Sequence, residues 1–212
     1  MSEALKEPGT GSVPADTGAT QVAVRADALA PHWLALRDVA IGAAVLSLFA
    51  AADAWDAIGG FALSGALSVV DGLLVGAAIS ALAHEWGHFA AARLSGAMAP
   101  TLPLSAFPRL FDFDFDRSDA RQFQAMSIGG NAAHWTTLAL LAATLPLDAA
   151  GRVALVAGSF GFCVFASTTE LPVIARVRRG VAPRSALTGV RRVLARNARM
   201  ALAAALVLFL SL

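Results

Sequence analysis

His84, Glu85 and His88 are the residues of this chain whose types and spacing point most directly to chemistry. Two histidines four apart on a helix lie on one face a single turn from each other, so two imidazole nitrogens can reach one zinc ion. The glutamate beside them can take a proton from a metal-bound water. For the pattern His-Glu-x-x-His, this composition gives a chance expectation of roughly 0.001 occurrences. Coincidence is therefore a weak explanation.

The setting sharpens the signal. Ionisable groups on an apolar helix cost about 2.5–3.5 kcal/mol each at a bilayer centre when charged, and less for neutral His, so they persist only with partners. A polar knot that joins helices without chemistry is the alternative reading. Apolar residues make up 57% of the 212 and charged residues 15%, with a mean hydropathy of +0.65. A water-soluble domain of this size has too little interior to hide that much apolar surface, so the expected solvent is a bilayer. The net charge of +1 removes the case for a nucleic-acid binder held by phosphate neutralisation. Cys163 is the only cysteine, which excludes an internal disulfide and a cysteine-based zinc finger; in its run of Phe and Val it reads as a small buried apolar side chain.

The elements that must position the motif follow from the apolar runs. The expected fold is an all-α membrane protein, a polytopic bundle of four or five transmembrane helices at about 37–56, 66–94, 127–147, 152–175 and 193–212. The stretch 57–70 reads either as part of a spanning helix or as a half-helix or re-entrant turn. Residues 1–35, without periodicity, are expected to form a disordered cytosolic leader, and residues 36–212 the transmembrane domain. A signal peptide is not expected, because the first long apolar run begins only at Val39. With the N-terminus cytosolic, 15 of the 16 basic residues fall on the inner side and only Arg152 outside, which sets the orientation. The basic cluster from Arg176 to Arg199 then reads as an anchor on anionic lipid. Fifteen Arg against one Lys and heavy Ala use suggest a GC-rich bacterium, hence an inner-membrane location.

The stretch His84-Glu85-Trp86-Gly87-His88-Phe89-Ala90-Ala91-Ala92-Arg93-Leu94-Ser95-Gly96 resembles the first motif of the site-2 protease family of intramembrane zinc metallopeptidases, including the internal Gly and the following Ala-Arg. The resemblance implies a Zn2+ cofactor, with His84 and His88 as ligands and Glu85 as catalytic base. It also implies a core of three membrane helices, matched here by about 66–175, with the metal toward the cytosolic side.

Catalytic zinc usually takes three protein ligands and keeps a position for water. In the family the third is an Asp in a Leu-Asp-Gly motif, and this chain contains no Leu-Asp-Gly. Asp148, Glu170 and His134 are the candidates, and depth discriminates between them. His84 and His88 precede Arg93 by nine and five residues, or roughly 13 and 8 Å along a helix. Glu170 precedes Arg176 by six, roughly 9 Å. Asp148 falls in the outer connection, most of a bilayer away. Glu170 is therefore the expected third ligand, with His134 as the substitute.

The third helix opens with Ser127-Ile-Gly129-Gly130-Asn131-Ala-Ala-His134-Trp135. Gly129 and Gly130 allow close backbone approach, and Asn131 and His134 share a face. The element loosely resembles the family's Gly-x-x-x-Asn, whose Asn helps position substrate, at a shorter spacing. His134 reads either as a polar bundle residue or as an oxyanion-binding group. Trp33, Trp55 and Trp135 are expected to be interfacial anchors. Between the second and third helices, Phe111-Asp112-Phe113-Asp114-Phe115-Asp116 alternates with period two, so an amphipathic strand or hairpin is expected there. Such an edge could hold an unwound substrate by strand addition.

Together these readings predict a zinc metalloendopeptidase that cuts transmembrane segments of other membrane proteins near the cytosolic face. Its partners would be the lipid bilayer and a transmembrane protein substrate, with no nucleic acid. The other classes are a catalytically silent helix-binding scaffold, and a non-proteolytic zinc membrane enzyme or transporter.

Overall fold

The computed structural model describes residues 27–212. Most of the expected leader, residues 1–26, lies outside the described residues. Six helices are described: α1 (Pro31–Gly59), α2 (Ala62–Leu94), α3 (Ala120–Thr144), α4 (Ala150–Arg178), a four-residue α5 (Pro183–Ala186) and α6 (Val190–Ser211). α1, α2, α4 and α6 are each long and apolar enough to cross a membrane. α3 has 25 residues, enough length, but Ser127, Asn131 and His134 on its buried face dilute its apolar character.

The boundaries follow from local chemistry. Pro31 sits in the first turn of α1, where its missing N–H is no loss, so α1 starts inside the stretch expected to be leader. Gly60 ends α1 in the left-handed region at φ 60°, and its N–H caps Asp56. The uncertain stretch 57–70 thus divides at this turn into the end of α1 and the first turns of α2. Asp119 and Gln122 form a reciprocal capping box that starts α3 at Ala120, seven residues before the expected 127.

Large apolar side chains such as Leu48, Leu74, Leu202 and Leu210 face outward, whereas Ser64, Ser80, His134, Ser159 and Asn197 are fully buried. Polar groups inside and hydrocarbon outside is the distribution of a multi-pass membrane protein, in which buried polar groups must find partners within the bundle. α4 is the central helix: 67% of its most apolar window is buried, against 11% for α6. At the bundle end that carries Arg93 and Arg176, termed the basic end, Leu34, Phe89, Leu110, Phe123 and Val173 form the main apolar core. At the opposite end Arg152 pairs with Asp53 of α1 and Asp148 of the α3–α4 connection, at 3.0 and 2.8 Å.

The expected strand at 111–116 does not form, and no strand occurs among the described residues. Residues 98–102 instead run antiparallel to 110–114 with a single bridge, Thr101 to Phe111. The N–H groups of Leu102, Asp112 and Asp114 donate to Leu110, Pro100 and Met98 at 2.9, 3.0 and 2.9 Å. A ladder needs reciprocal bonds. Pro100 has no N–H to return, and the N–H of Met98 goes to Ser118 Oγ at 3.0 Å. The period-two alternation survives without the strand: Phe111 and Phe113 are buried, while Asp112 and Asp114 are half-buried and Asp116 exposed.

The segment before α1 clasps this connection. Asp27 bonds to Arg93 and, at 2.9 Å, to the N–H of Thr101. Partial burial pushes its carboxyl up, but the Thr101 N–H and the Arg93 guanidinium outweigh that and hold it below the ordinary carboxylate range.

Candidate metal centre

α2 and α3 cross where neither has a side chain. A Cβ at Gly87 would lie 2.5 Å from the Gly129 carbonyl oxygen, and one at Gly129 would lie 2.6 Å from that of Gly87. This crossing brings the His84–His88 face of α2 onto α3. Gly130 leaves room for the His88 ring, since a Cβ there would sit 2.4 Å from Cε1. α4 supplies Glu170 from the third side.

The three side chains converge at the level that the depth argument expected. His84 Nε2 and His88 Nε2 lie 3.0 Å apart, and Glu170 Oε1 lies 3.1 Å from the first and 3.0 Å from the second. Both histidines are buried and Glu170 is half-buried. Tetrahedral zinc with ligand bonds of about 2.0–2.1 Å sets neighbouring donor atoms about 3.3 Å apart, so the observed triangle fits a small divalent ion.

Hydrogen bonding alone does not satisfy that triangle. His88 Nδ1 faces the carbonyl oxygen of Met126 at 2.9 Å. A carbonyl only accepts, so Nδ1 carries a proton, and a ring with no second proton offers a bare Nε2 toward the Glu170 oxygen. Two imidazole nitrogens and one carboxylate oxygen at mutual contact require positive charge among them. A single metal ion meets all three contacts at once, and the Met126 bond is the kind of outer support that metal-bound histidines usually have.

The other expected residues are placed as follows. Glu85 is half-buried on the next position of α2, within electrostatic reach of His84, His88 and Glu170, and holds no hydrogen bond or ion pair among the described residues. Asn131 donates to Glu170 Oε2 at 2.6 Å and to the Ser127 carbonyl at 3.0 Å. His134, fully buried, meets His84 at Nδ1 to Nδ1, 3.0 Å, on the side of that ring away from Glu170. It is not in the group that could hold a metal, whereas Glu170 is. Asp148 sits in the connection, 72% exposed and bound to Arg152.

No protein family, curated protein or solved structure matches this chain. What it can do rests on its own geometry.

Three further residues bear on the site. Ser167, three before Glu170 on the same face of α4, bonds to Asn131 at 3.2 Å and contacts His134 at 3.4 Å. Trp135, expected to be an interfacial anchor, directs its indole N–H onto Ser167 Oγ at 3.0 Å. Asp38, buried in α1, accepts from Trp86 of the motif at 2.9 Å and pairs with Arg37 at 2.7 Å. A carboxylate inside an apolar helix was a signal available in the sequence. Ser167 and Trp135 gave none beyond helical spacing.

Phe162 of α4 sets its ring edge-on to His84 at 5.5 Å and to His134 at 5.8 Å, an apolar wall on one flank of the site. On the other, a cavity of about 220 Å³ lined by His88, Glu170, Ser127, Phe115, Leu187 and Val190 opens toward the basic end.

Proposed function

We propose that the protein is an intramembrane zinc metalloprotease of the site-2 protease type, hydrolysing a peptide bond in the transmembrane segment of another membrane protein near the cytosolic face. The observation that carries this reading is the convergence of His84, His88 and Glu170 on one point, with the carboxylate of Glu85 on the adjoining position of α2. Two His and one Glu form a known catalytic zinc set. The basic end is taken as cytosolic because its arginines follow the positive-inside bias, and α3 is taken to cross with α2 and α4, against both of which it packs.

His84, His88 and Glu170 would hold a divalent ion, which when bound would supply Lewis acidity toward a water molecule and toward the scissile carbonyl. Glu85 accepts the proton of the attacking water on its carboxylate and delivers it to the amide nitrogen that leaves. The cavity beside His88 and Glu170 gives water a route from the basic end, while Phe162 keeps the opposite flank apolar. A helical substrate has its amides covered by its own hydrogen bonds, so it must unwind locally at this level, and the released fragment leaves on the cytosolic side.

The test is Glu85→Gln in the full-length protein, reconstituted in vesicles with a single-span reporter. Cleavage should fall by about 10²–10⁴-fold, while bound zinc, measured by elemental analysis, stays at the wild-type level. Cleavage at the wild-type rate by the variant overturns the assignment of the base and with it the protease.

A further inference from the structure

The polar side chains behind the metal centre form a closed loop whose proton positions can be deduced one at a time. Asn131 Nδ2 faces two pure acceptors, the Ser127 carbonyl at 3.0 Å and Glu170 Oε2 at 2.6 Å. That end of the amide is therefore NH₂, and the oxygen Oδ1 is the atom 3.2 Å from Ser167 Oγ. The indole N–H of Trp135 can only donate, and it does so to the same Ser167 oxygen at 3.0 Å.

A hydroxyl has one proton and two lone pairs. The Ser167 proton goes to Asn131 Oδ1, and one lone pair takes the Trp135 N–H. The second lone pair faces His134 Nε2 at 3.4 Å, so that nitrogen is the protonated one of a neutral ring. His134 Nδ1 is then an acceptor, and it takes the Nδ1–H of His84 at 3.0 Å. With its proton on Nδ1, His84 presents a bare Nε2 to the point it shares with Glu170 Oε1, 3.1 Å away. The loop closes because Asn131 occupies Oε2 of the same carboxylate and leaves Oε1 for that point. His134, Asn131 and Ser167 are all buried, so water does not compete for these bonds.

We propose that Trp135, Ser167, Asn131 and His134 form one directed hydrogen-bond circuit that sets the tautomer of His84 and the orientation of Glu170, so that both offer lone pairs to a metal ion. His134 and Ser167 are positioning residues acting through the ligands: His134 is neither a metal ligand nor an oxyanion donor. The proposal rests on the reading of His84, His88 and Glu170 as a metal centre. It adds that the preference for a metal is imposed from Trp135, a residue that touches no ligand.

The experiment is a Co2+ titration of the metal-stripped, full-length protein in detergent, read by d–d absorption, with thermal unfolding measured in parallel. His134→Ala should weaken Co2+ binding by about 10–100-fold and alter the absorption envelope. His134→Asn, whose Oδ1 can stand where Nδ1 stood and accept from His84, should recover most of that loss. Trp135→Phe should produce a smaller weakening in the same direction. His134→Ala that melts earlier yet binds Co2+ with wild-type affinity and spectrum overturns the circuit. If His134→Ala does not fold, Ser167→Ala cuts the same loop from α4, and unchanged affinity there overturns the circuit equally. Wild-type protein that binds neither Co2+ nor Zn2+ overturns the metal centre itself, an outcome distinct from tight binding that ignores these substitutions.

Discussion

α2 is held by two different kinds of contact along its length. Toward the end that carries Arg152 it meets α4 backbone to backbone: a Cβ at Gly76 would lie 1.9 Å from the Leu155 carbonyl oxygen, and one at Gly158 would lie 2.0 Å from that of Leu73. Toward the basic end the Gly87–Gly129 crossing brings it close to α3, and His84, His88, Asn131, His134 and Glu170 add contacts to α3 and α4 that are directional. Between helices in hydrocarbon there is no hydrophobic drive to associate, so close packing and hydrogen bonding must supply the attraction. The glycine half supplies packing and fixes how near α2 and α4 lie. The polar half uses that fixed distance to bring three donor atoms to one point. One half is therefore expected to determine whether the bundle forms and the other what it binds.

The largest effect should come from the glycine half. Gly76→Leu would drive a side chain into the backbone of α4, and neither backbone can yield without separating the helices. Overpacking costs about 1–3 kcal/mol where flexible side chains can move, and here the obstacle is a carbonyl. The folded state should be lost in detergent, seen as the absence of a cooperative melt together with the absence of metal binding. A folded Gly76→Leu variant that binds Co2+ would break the division between the halves.

The polar half should behave in the opposite way. A metal ion that binds only the folded state raises its stability by about 2.7 kcal/mol at a free concentration one hundred times Kd. Wild-type protein should therefore melt at a higher temperature with Zn2+ than after chelation. His88→Ala should fold, melt near the chelated wild type, and show no response to Zn2+. If His88→Ala keeps the full Zn2+-dependent gain, the ion binds somewhere other than at the three converging side chains.

Much of this division was legible in the residues themselves. His84, Glu85 and His88 mark a candidate metal site by type and spacing, and rise per residue was enough to put Glu170 at their level because all four lie on continuous helices. Four or five long helices were readable from apolar runs, although their ends moved: Asp119 capped α3 earlier than its apolar run suggested, and Pro31 started α1 in a stretch that looked unpatterned. The strand at 111–116 failed for a nonlocal reason. Its period-two pattern was real, but the segment opposite it contains Pro100, and pairing depends on both partners. Trp135 and Ser167 were illegible because their role depends on which groups face them across α3 and α4, information that periodicity within one helix does not carry. The glycines at 72, 76, 151 and 158 could be counted in the sequence, but the register in which α2 meets α4 was not available from either helix alone.

The smallest effect should arise at the boundary between the halves, where Ser80 Oγ and Ser159 Oγ lie 2.6 Å apart with both side chains fully buried. A single truncation, Ser80→Ala, leaves the Ser159 hydroxyl to turn back on a carbonyl of its own helix, an option open to serine in α-helices. That rescue limits the cost to about 0.6 kcal/mol, the mean for polar contacts between membrane helices. Replacing both serines by alanine removes the polar pair and leaves two small side chains at the same helix separation, so the double variant should be no less stable than either single one. The coupling from this double-mutant cycle, read as shifts in the melting midpoint, should be near the mean for such contacts, and Co2+ affinity should not change in any of the three. A change in metal affinity on removing Ser80 would mean that the packing half reaches into the polar half, and that spacing and binding are not divided at this point of α2.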